Sequence, residues 1–519
     1  MGRSLSGGGV VRRAPMAKHF DVLIVGAGIS GIGAGYHLQN ECPGRSYAIL
    51  EARNDLGGTW DLFRYPGIRS DSDMYTLGYS FKPWRNPKAI ADGAAILQYV
   101  RETAAEHGLD RHIQFGTSVK SASWSSPDGR WTVEAVRDGQ PLRFTCNFLF
   151  MCSGYYDYDQ GFTPDFPGLE RFAGRVVHPQ KWTEDIDYTG KRVVVIGSGA
   201  TAVTLVPELA AKAAHVTMLQ RSPTYIVSMP AQDKIANWLR RQLPAELAYA
   251  ITRWKNVLFG MWFYRFCRNN PRRAKAMILS WLEKELGPGF DIRTHFNPRY
   301  NPWDQRLCLV PDSDLFQALK QGRAEVVTDH IDCFTEKGIQ LKSGRELEAD
   351  MVVTATGLNL KMLGGISLRV DGASVDLAKH FNYKGMMFSE VPNLASSFGY
   401  TNASWTLKAE LICRYVCRLL NHMQSTGLRQ CTPRLTDNTM QEEPWIDLSS
   451  GYVQRALAMS PKQGSKKPWK LYQNYALDLL SLKYQSVEDG VMEFSNPAPA
   501  ATPLTVRPAT KELRVLEQA

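Results

Sequence analysis

No Cys-x-x-Cys pair occurs in this sequence, and its nine cysteines are an odd number. That argues against a dithiol reductase, a zinc site and a disulfide framework, and points to reduced thiols in a cytoplasmic protein. The first 20 residues are basic and glycine-rich without an apolar core. A secretion signal is therefore not expected, and Met16 is an alternative start to Met1. Long hydrophobic runs are missing too: the longest, Val257–Tyr264, is bounded by Lys255 and Arg265 and falls far below the ~20 residues of a membrane span. With 44% hydrophobic and 22% charged residues in a chain of 519, a globular protein of about two to four domains is expected.

Acidic residues are scarce in one place. Residues 234–299 hold 13 Lys/Arg against four Asp/Glu, so most of the net charge of +10 lies there. The basic residues interleave with Trp238, Trp254, Trp262, Phe263, Tyr264 and Trp281 in a helical pattern broken at Pro244 and Pro271. Such a segment suits a helical subdomain with a solvated basic face, or a peripheral contact with anionic membrane lipid. No nucleic-acid motif accompanies the charge, so nucleic acid is not an expected partner.

What the chain does have is two glycine-rich fingerprints about one domain apart. Gly26-Ala-Gly28-Ile-Ser30-Gly31 follows the apolar run Asp21–Val25 and precedes a helix-like segment. Strand, tight turn and helix N-terminus are what a pyrophosphate requires, because the backbone must come close and aim its N–H groups at the charge. Glu51 ends the next apolar run, 20 residues after Gly31, where a carboxylate grips ribose hydroxyls. An unphosphorylated adenosine, as in FAD or NAD, fits this copy. The second is Gly197-Ser198-Gly199-Ala200-Thr201-Ala202 after Arg192–Ile196, and its next strand, His215–Leu219, ends in Gln220-Arg221-Ser222. A guanidinium and a hydroxyl there suit a ribose 2′-phosphate, which a carboxylate would repel. The second ligand reads as NADPH.

The expected fold is therefore α/β, with two Rossmann-like dinucleotide-binding domains, for FAD and NADPH, and a helical insertion. The expected order is a first FAD-domain part (16–157), a first NADPH-domain part (158–228), the basic helical insertion (229–323), a second NADPH-domain part (324–380), a second FAD-domain part (381–494) and a disordered, Pro-rich tail (495–519). Phe148–Gly154 and Asp350–Gly357 read as the strands that close the two nucleotide folds.

Between the fingerprints runs Phe172-Ala-Gly174-Arg-Val-Val-His178-Pro-Gln-Lys-Trp182. It resembles the signature of the class B flavoprotein monooxygenases, specifically the Baeyer–Villiger branch, with a departure at Thr183, where the long motif has Pro or Asp. Gly57-Gly-Thr-Trp60, Arg64-Tyr-Pro-Gly-Ile-Arg-Ser-Asp71 and Asn301-Pro-Trp-Asp-Gln-Arg306 resemble the ethionamide-activating subgroup, and the resemblance extends from about residue 18 to 490. It implies hydride transfer from NADPH to FAD, then a C4a-peroxyflavin kept dry and anionic beside a fixed cation. By motif match Arg306 is that cation and Asp71 its acidic partner, with Asp73 the alternative if the loop is displaced and a plain turn-capping role for the acid left open. The resemblance further assigns Ser30, Thr59, Trp60, Asp61, Leu62, Asp71 and Val119 to FAD, and Arg69 and Ser70 to NADP. His178 is expected to orient an interdomain linker, Trp182 to pack, and the helix after Gly399–Lys408 to aim its N-terminus at the flavin. No metal is expected. The implied substrates are ketones and thioamide or sulfide compounds, with O₂. The alternatives are an N- or S-oxygenating flavin monooxygenase working through a hydroperoxyflavin, and a non-catalytic flavoprotein redox sensor.

Overall fold

The computed structural model describes residues 17–497. The expected tail beyond residue 497 and the alternative start at Met16 lie outside the described residues. Val22–Val25 and Val193–Ile196 are buried throughout, because helices cover one face of each sheet and antiparallel strands the other. Each starts a strand–turn–helix unit. Lys18–Val25 leads into the helix Ile29–Glu41 and the parallel strand Tyr47–Leu50, and Arg192–Ile196 leads into Ala200–Leu209 and the parallel strand His215–Gln220.

The first sheet has nine strands. Its parallel centre joins Ile113–Gln114, Tyr47–Leu50, Lys18–Val25 and Gln140–Met151. Ser118–Ser125, Arg130–Arg137 and Gln140–Met151 form an antiparallel meander. That meander releases the last strand at Cys146, and Leu394–Ser396 takes the vacated edge beside Leu149–Met151. The helices Ile29–Glu41, Gly93–Glu106 and Trp405–Thr426 share one apolar core against this sheet. The second sheet has five parallel strands in the order 324–328, 215–220, 192–196, 351–354, 175–177.

One boundary differs from the expected 380. Ser367–Val370 already lies parallel to Ser121–Trp124 in the first sheet, so the chain rejoins that sheet 13 residues or so earlier than its apolar pattern suggests. A four-residue strand takes its identity from a distant partner and not from its own pattern. Ser495, the first residue of the expected tail, still belongs to a strand: Met492–Ser495 pairs with Gln430–Pro433.

The insertion is helical at 234–242, 245–269, 271–286 and 292–295. Among the described residues no helix is long and apolar enough to cross a membrane. All nine cysteines are free thiols, eight of them buried.

Candidate active site

Both glycine turns are shaped by contacts that leave no room for a side chain. A Cβ on Gly31 would lie 1.8 Å from the Gly26 carbonyl, and one on Gly197, at φ +138°, 2.3 Å from the Ala355 carbonyl. The helices that follow start on Gly28 and Gly199, with no side-chain cap and no acid in the first turn. Their first N–H groups are thus left for an anion. Gly199 has nothing within 4 Å of where its Cβ would be, so a phosphate can approach. These two cradles fit the two dinucleotides.

A cavity of 460 Å³ collects most of the expected site residues: Gly26, Gly28, Ser30, Glu51, Thr59, Trp60, Arg69, Ser70, Asp71, Val119, Ala200, Thr201 and Arg306 line it. Glu51 is buried, accepting hydrogen bonds from the Ala27 and Arg53 backbone N–H groups at 2.7 and 2.8 Å. Burial pushes its carboxyl up against the lowering effect of those bonds and of Arg53. It therefore braces the first turn from the position expected of the ribose ligand. Thr59 Oγ1 meets the Tyr158 hydroxyl at 3.2 Å, and Arg69 pairs with Asp314 at 2.5 Å.

Other expected residues lie outside this wall. Asp61 is taken up by Arg53 at 2.6 Å and Arg64 at 2.7 Å, and neither it nor Leu62 lines the cavity. Gly31 packs helix on turn, and Ala202 is core. Ser198 is spent on Thr224 at 2.8 Å and the Ser222 carbonyl at 3.1 Å. Arg221 and Ser222 are exposed at the end of the strand His215–Gln220, and Arg221 has no ion pair among the described residues.

The charged centre is Arg306. Its Nη1 donates to Asp71 Oδ2 at 3.1 Å and its Nε to the Thr401 carbonyl at 3.1 Å. Burial works against its charge, but Tyr155, Asp71, Tyr452 and Tyr156 outweigh that and hold it firmly cationic. Asp73 instead caps the short helix Met74–Leu77, accepting from Thr76 N–H at 3.1 Å. A second cavity of 810 Å³, walled by Val257, Met261, Tyr264 and Leu407, also reaches Asp71, Ala403 and Arg306. The Arg306–Asp71 pair thus stands where the two cavities meet.

Two aromatic wall residues, Tyr155 and Tyr156, carry no signal in the sequence, and a third, Trp405, falls within the Gly399–Lys408 segment. Tyr155 stacks on Trp405 at 5.3 Å and bonds Tyr156 through their hydroxyls at 2.9 Å. Burial pushes the Tyr156 phenol up to about 12, so it stays a neutral hydroxyl near neutral pH. Trp405 Nε1 donates to Ser30 Oγ at 2.7 Å, which joins the first phosphate turn to the helix Trp405–Thr426. An aromatic residue shows no role until its neighbours are known; only the polar turn before Trp405 hinted at this site.

His178 serves neither cavity. It sits beside the two-stranded ribbon of Tyr156–Gly161 and Leu358–Leu360 that links the nucleotide domains. Its Nε2 donates to the Gly357 carbonyl at 3.2 Å and its Nδ1 accepts from Gln180 N–H at 3.2 Å. A Cβ on Gly161 would strike the imidazole at 2.0 Å. Burial holds His178 below its ordinary pKa, so it is a neutral clamp on the ribbon. Trp182 is buried in the second domain's core.

Two nucleotide folds whose cradles open toward one shared cleft define a two-dinucleotide flavoprotein. The flavin-binding monooxygenase-like family matches residues 19–362, and the chain belongs to that family. It is 55% identical over 486 residues to the FAD-containing monooxygenase EthA of Mycobacterium tuberculosis, covering 93% of this chain and 99% of that one. With EthA of Mycolicibacterium smegmatis it shares 52% over 481 residues, 92% of this chain and 98% of the other. The fold is also that of an oxidized steroid monooxygenase bound to NADP, with TM-score 0.72 at 22% identity, covering 92% of this chain and all of that one. An open cyclohexanone monooxygenase structure matches with TM-score 0.65 at 22% identity, over 80% of this chain and 90% of that one.

Proposed function

We propose that this chain is a FAD-containing, NADPH- and O₂-dependent monooxygenase that converts ketones to esters by Baeyer–Villiger oxidation and oxidises sulfur in thioamide or sulfide compounds. For the ketone reaction, ketone, O₂, NADPH and a proton give ester, NADP⁺ and water. The observation that carries this reading is the Arg306–Asp71 pair at the junction of the two cavities. When bound, FAD supplies hydride acceptance and oxygen activation. Gly26, Gly28, Ser30, Glu51, Thr59, Trp60 and Val119 would hold it, and the turn Gly197–Ala202 with Arg221 and Ser222 would hold NADPH.

The chain's own residues do the rest. Arg306 cannot lose its proton near neutral pH, so it stabilises negative charge on the oxygen being transferred. Asp71 orients the guanidinium and offsets part of its charge when no anion is present. The Thr401 carbonyl holds the other edge of the fork. Val257, Met261 and Leu407 give the larger cavity an apolar lining that excludes water from an apolar substrate. Mass analysis of products after incubation with NADPH and a ketone panel should show esters. Ketones recovered unchanged, while amines and sulfides added to the panel give N-oxides and sulfoxides, would favour the N- or S-oxygenating reading, and NADPH consumption unaffected by every substrate would favour a redox sensor.

Arg221→Ala should raise the Michaelis constant for NADPH and leave that for NADH nearly unchanged. The expected loss is ~1.5–3 kcal/mol, the scale of a charge-assisted contact with a 2′-phosphate. Steady-state kinetics with both cofactors checks this, and equal losses would remove Arg221 from the phosphate site.

A further inference from the structure

The outer face of the helix Ala245–Asn269 is apolar where a soluble surface should be polar. Leu247, Ile251, Trp254, Leu258 and Trp262 recur at helical spacing and are 41–58% exposed. Ile235 and Trp238 extend the patch on the preceding helix, Lys234–Gln242, at 55% and 59% exposure. Contiguous side chains of this size left in water mark an interaction surface. They are not spare core: the same helix already buries its other face through Ala248, Tyr249, Thr252 and Arg253.

Charge identifies what covers the patch. Lys234, Arg241, Arg265, Arg272 and Arg273 are in the same two helices or at the start of the next, and none makes an ion pair among the described residues. Exposed Trp, Leu and Ile flanked by unpaired cations match an anionic lipid surface, where indoles settle at headgroup depth and each cation adds Coulomb attraction. A second copy of this chain would carry the same positive charge and meet it with repulsion. The larger cavity opens beside the patch, since Ile235, Phe259 and Leu477 are at once exposed and part of its wall.

We propose that the face built by Lys234–Gln242 and Ala245–Asn269 docks on an anionic lipid bilayer, so that lipid-dissolved apolar substrates enter the larger cavity directly from the membrane. Docking is independent of the chemistry in "Proposed function"; only the nature of the cargo rests on that reading, so vesicle binding and product formation fail separately.

The test is flotation of the FAD-loaded full chain with vesicles of phosphatidylcholine alone and of phosphatidylcholine mixed with phosphatidylglycerol. Binding is expected on the mixed vesicles, weakening as salt shortens the screening length. Indole fluorescence should be quenched by brominated acyl chains. The substitutions Trp254→Ser, Leu258→Ser and Trp262→Ser together should weaken binding by about 100-fold or more, given the apolar area removed. All three sites are exposed, so flavin content and turnover of a small water-soluble substrate should stay at the parent level, while turnover of a long-chain substrate presented in vesicles falls. Binding absent from both vesicle types, or equal on both, overturns the proposal. So does self-association abolished by the same substitutions, which would make a second copy the occupant.

Discussion

Arg306→Ala is expected to bind FAD and oxidise NADPH while ester or sulfoxide falls by ~10²-fold or more, the scale of losing one preorganised charge at a transition state. Nicotinamide oxidation requires the two rings to be placed by the glycine cradles, which Arg306 does not build. On the proposed mechanism oxygen transfer requires negative charge to be held at the junction of the cavities, where Arg306 stands. Electrons from NADPH should then leave as hydrogen peroxide, one per NADPH. Arg306→Lys should rescue poorly, because one ammonium nitrogen cannot occupy both positions from which the guanidinium Nη1 reaches Asp71 and Nε the Thr401 carbonyl. Product analysis beside a peroxide assay decides it: ester at the parent rate in Arg306→Ala would sink the assigned role.

Arg253→Ala is expected to cost ~3–5 kcal/mol of stability, the scale of breaking a buried ion pair from one side. Arg253 donates to Glu410 at 2.8 Å and to the carbonyls of Tyr75 and Gly78 at 2.9 and 2.7 Å. Glu410 in turn accepts from Ser80 Oγ at 2.7 Å. The pair ties the insertion helix to the helix Trp405–Thr426, so its loss should loosen the wall that Val257 and Met261 provide. Replacing both partners with Met and Leu should recover much of the stability, since no charge is then stranded. Burial raises the Glu410 pKa, but His37, Arg253 and Ser80 outweigh it and hold it below its ordinary value. A depressed carboxyl contributes fully above its unfolded pKa, so this stabilisation should fade as pH falls through the folded value. Thermal and denaturant unfolding of the single and double variants measures all three effects; a single variant as stable as the parent would refute the pairing argument.

The glycine turns were legible because their constraint is local. Gly26 at φ +106° and Gly197 at φ +138° occupy backbone conformations that other residues rarely adopt, and the apolar strand before each turn marks the context. Arg221, lying at a strand end, could be read from the same local pattern. The pairing of Asp71 with Arg306 was legible only through resemblance: the two are 235 residues apart, and no periodicity links them. Asp61 shows the opposite case. Its place in a cofactor motif made it look available, while its carboxylate is occupied by Arg53 and Arg64.

Taken by itself, the sequence determined the two nucleotide folds, the differing charge at the ends of their second strands and the position of a basic helical insertion, because φ, helix starts and strand-end charge are set within a few residues of one another. Tertiary structure alone decided that Asp71 and not Asp73 meets Arg306, that Tyr155, Tyr156 and Trp405 wall the cleft, and that Ser367–Val370 belongs to the first sheet. It also decided which aromatic residues of the insertion face outward. Each of these depends on which distant surfaces pack together, and burial, pairing and pKa are properties of that packing.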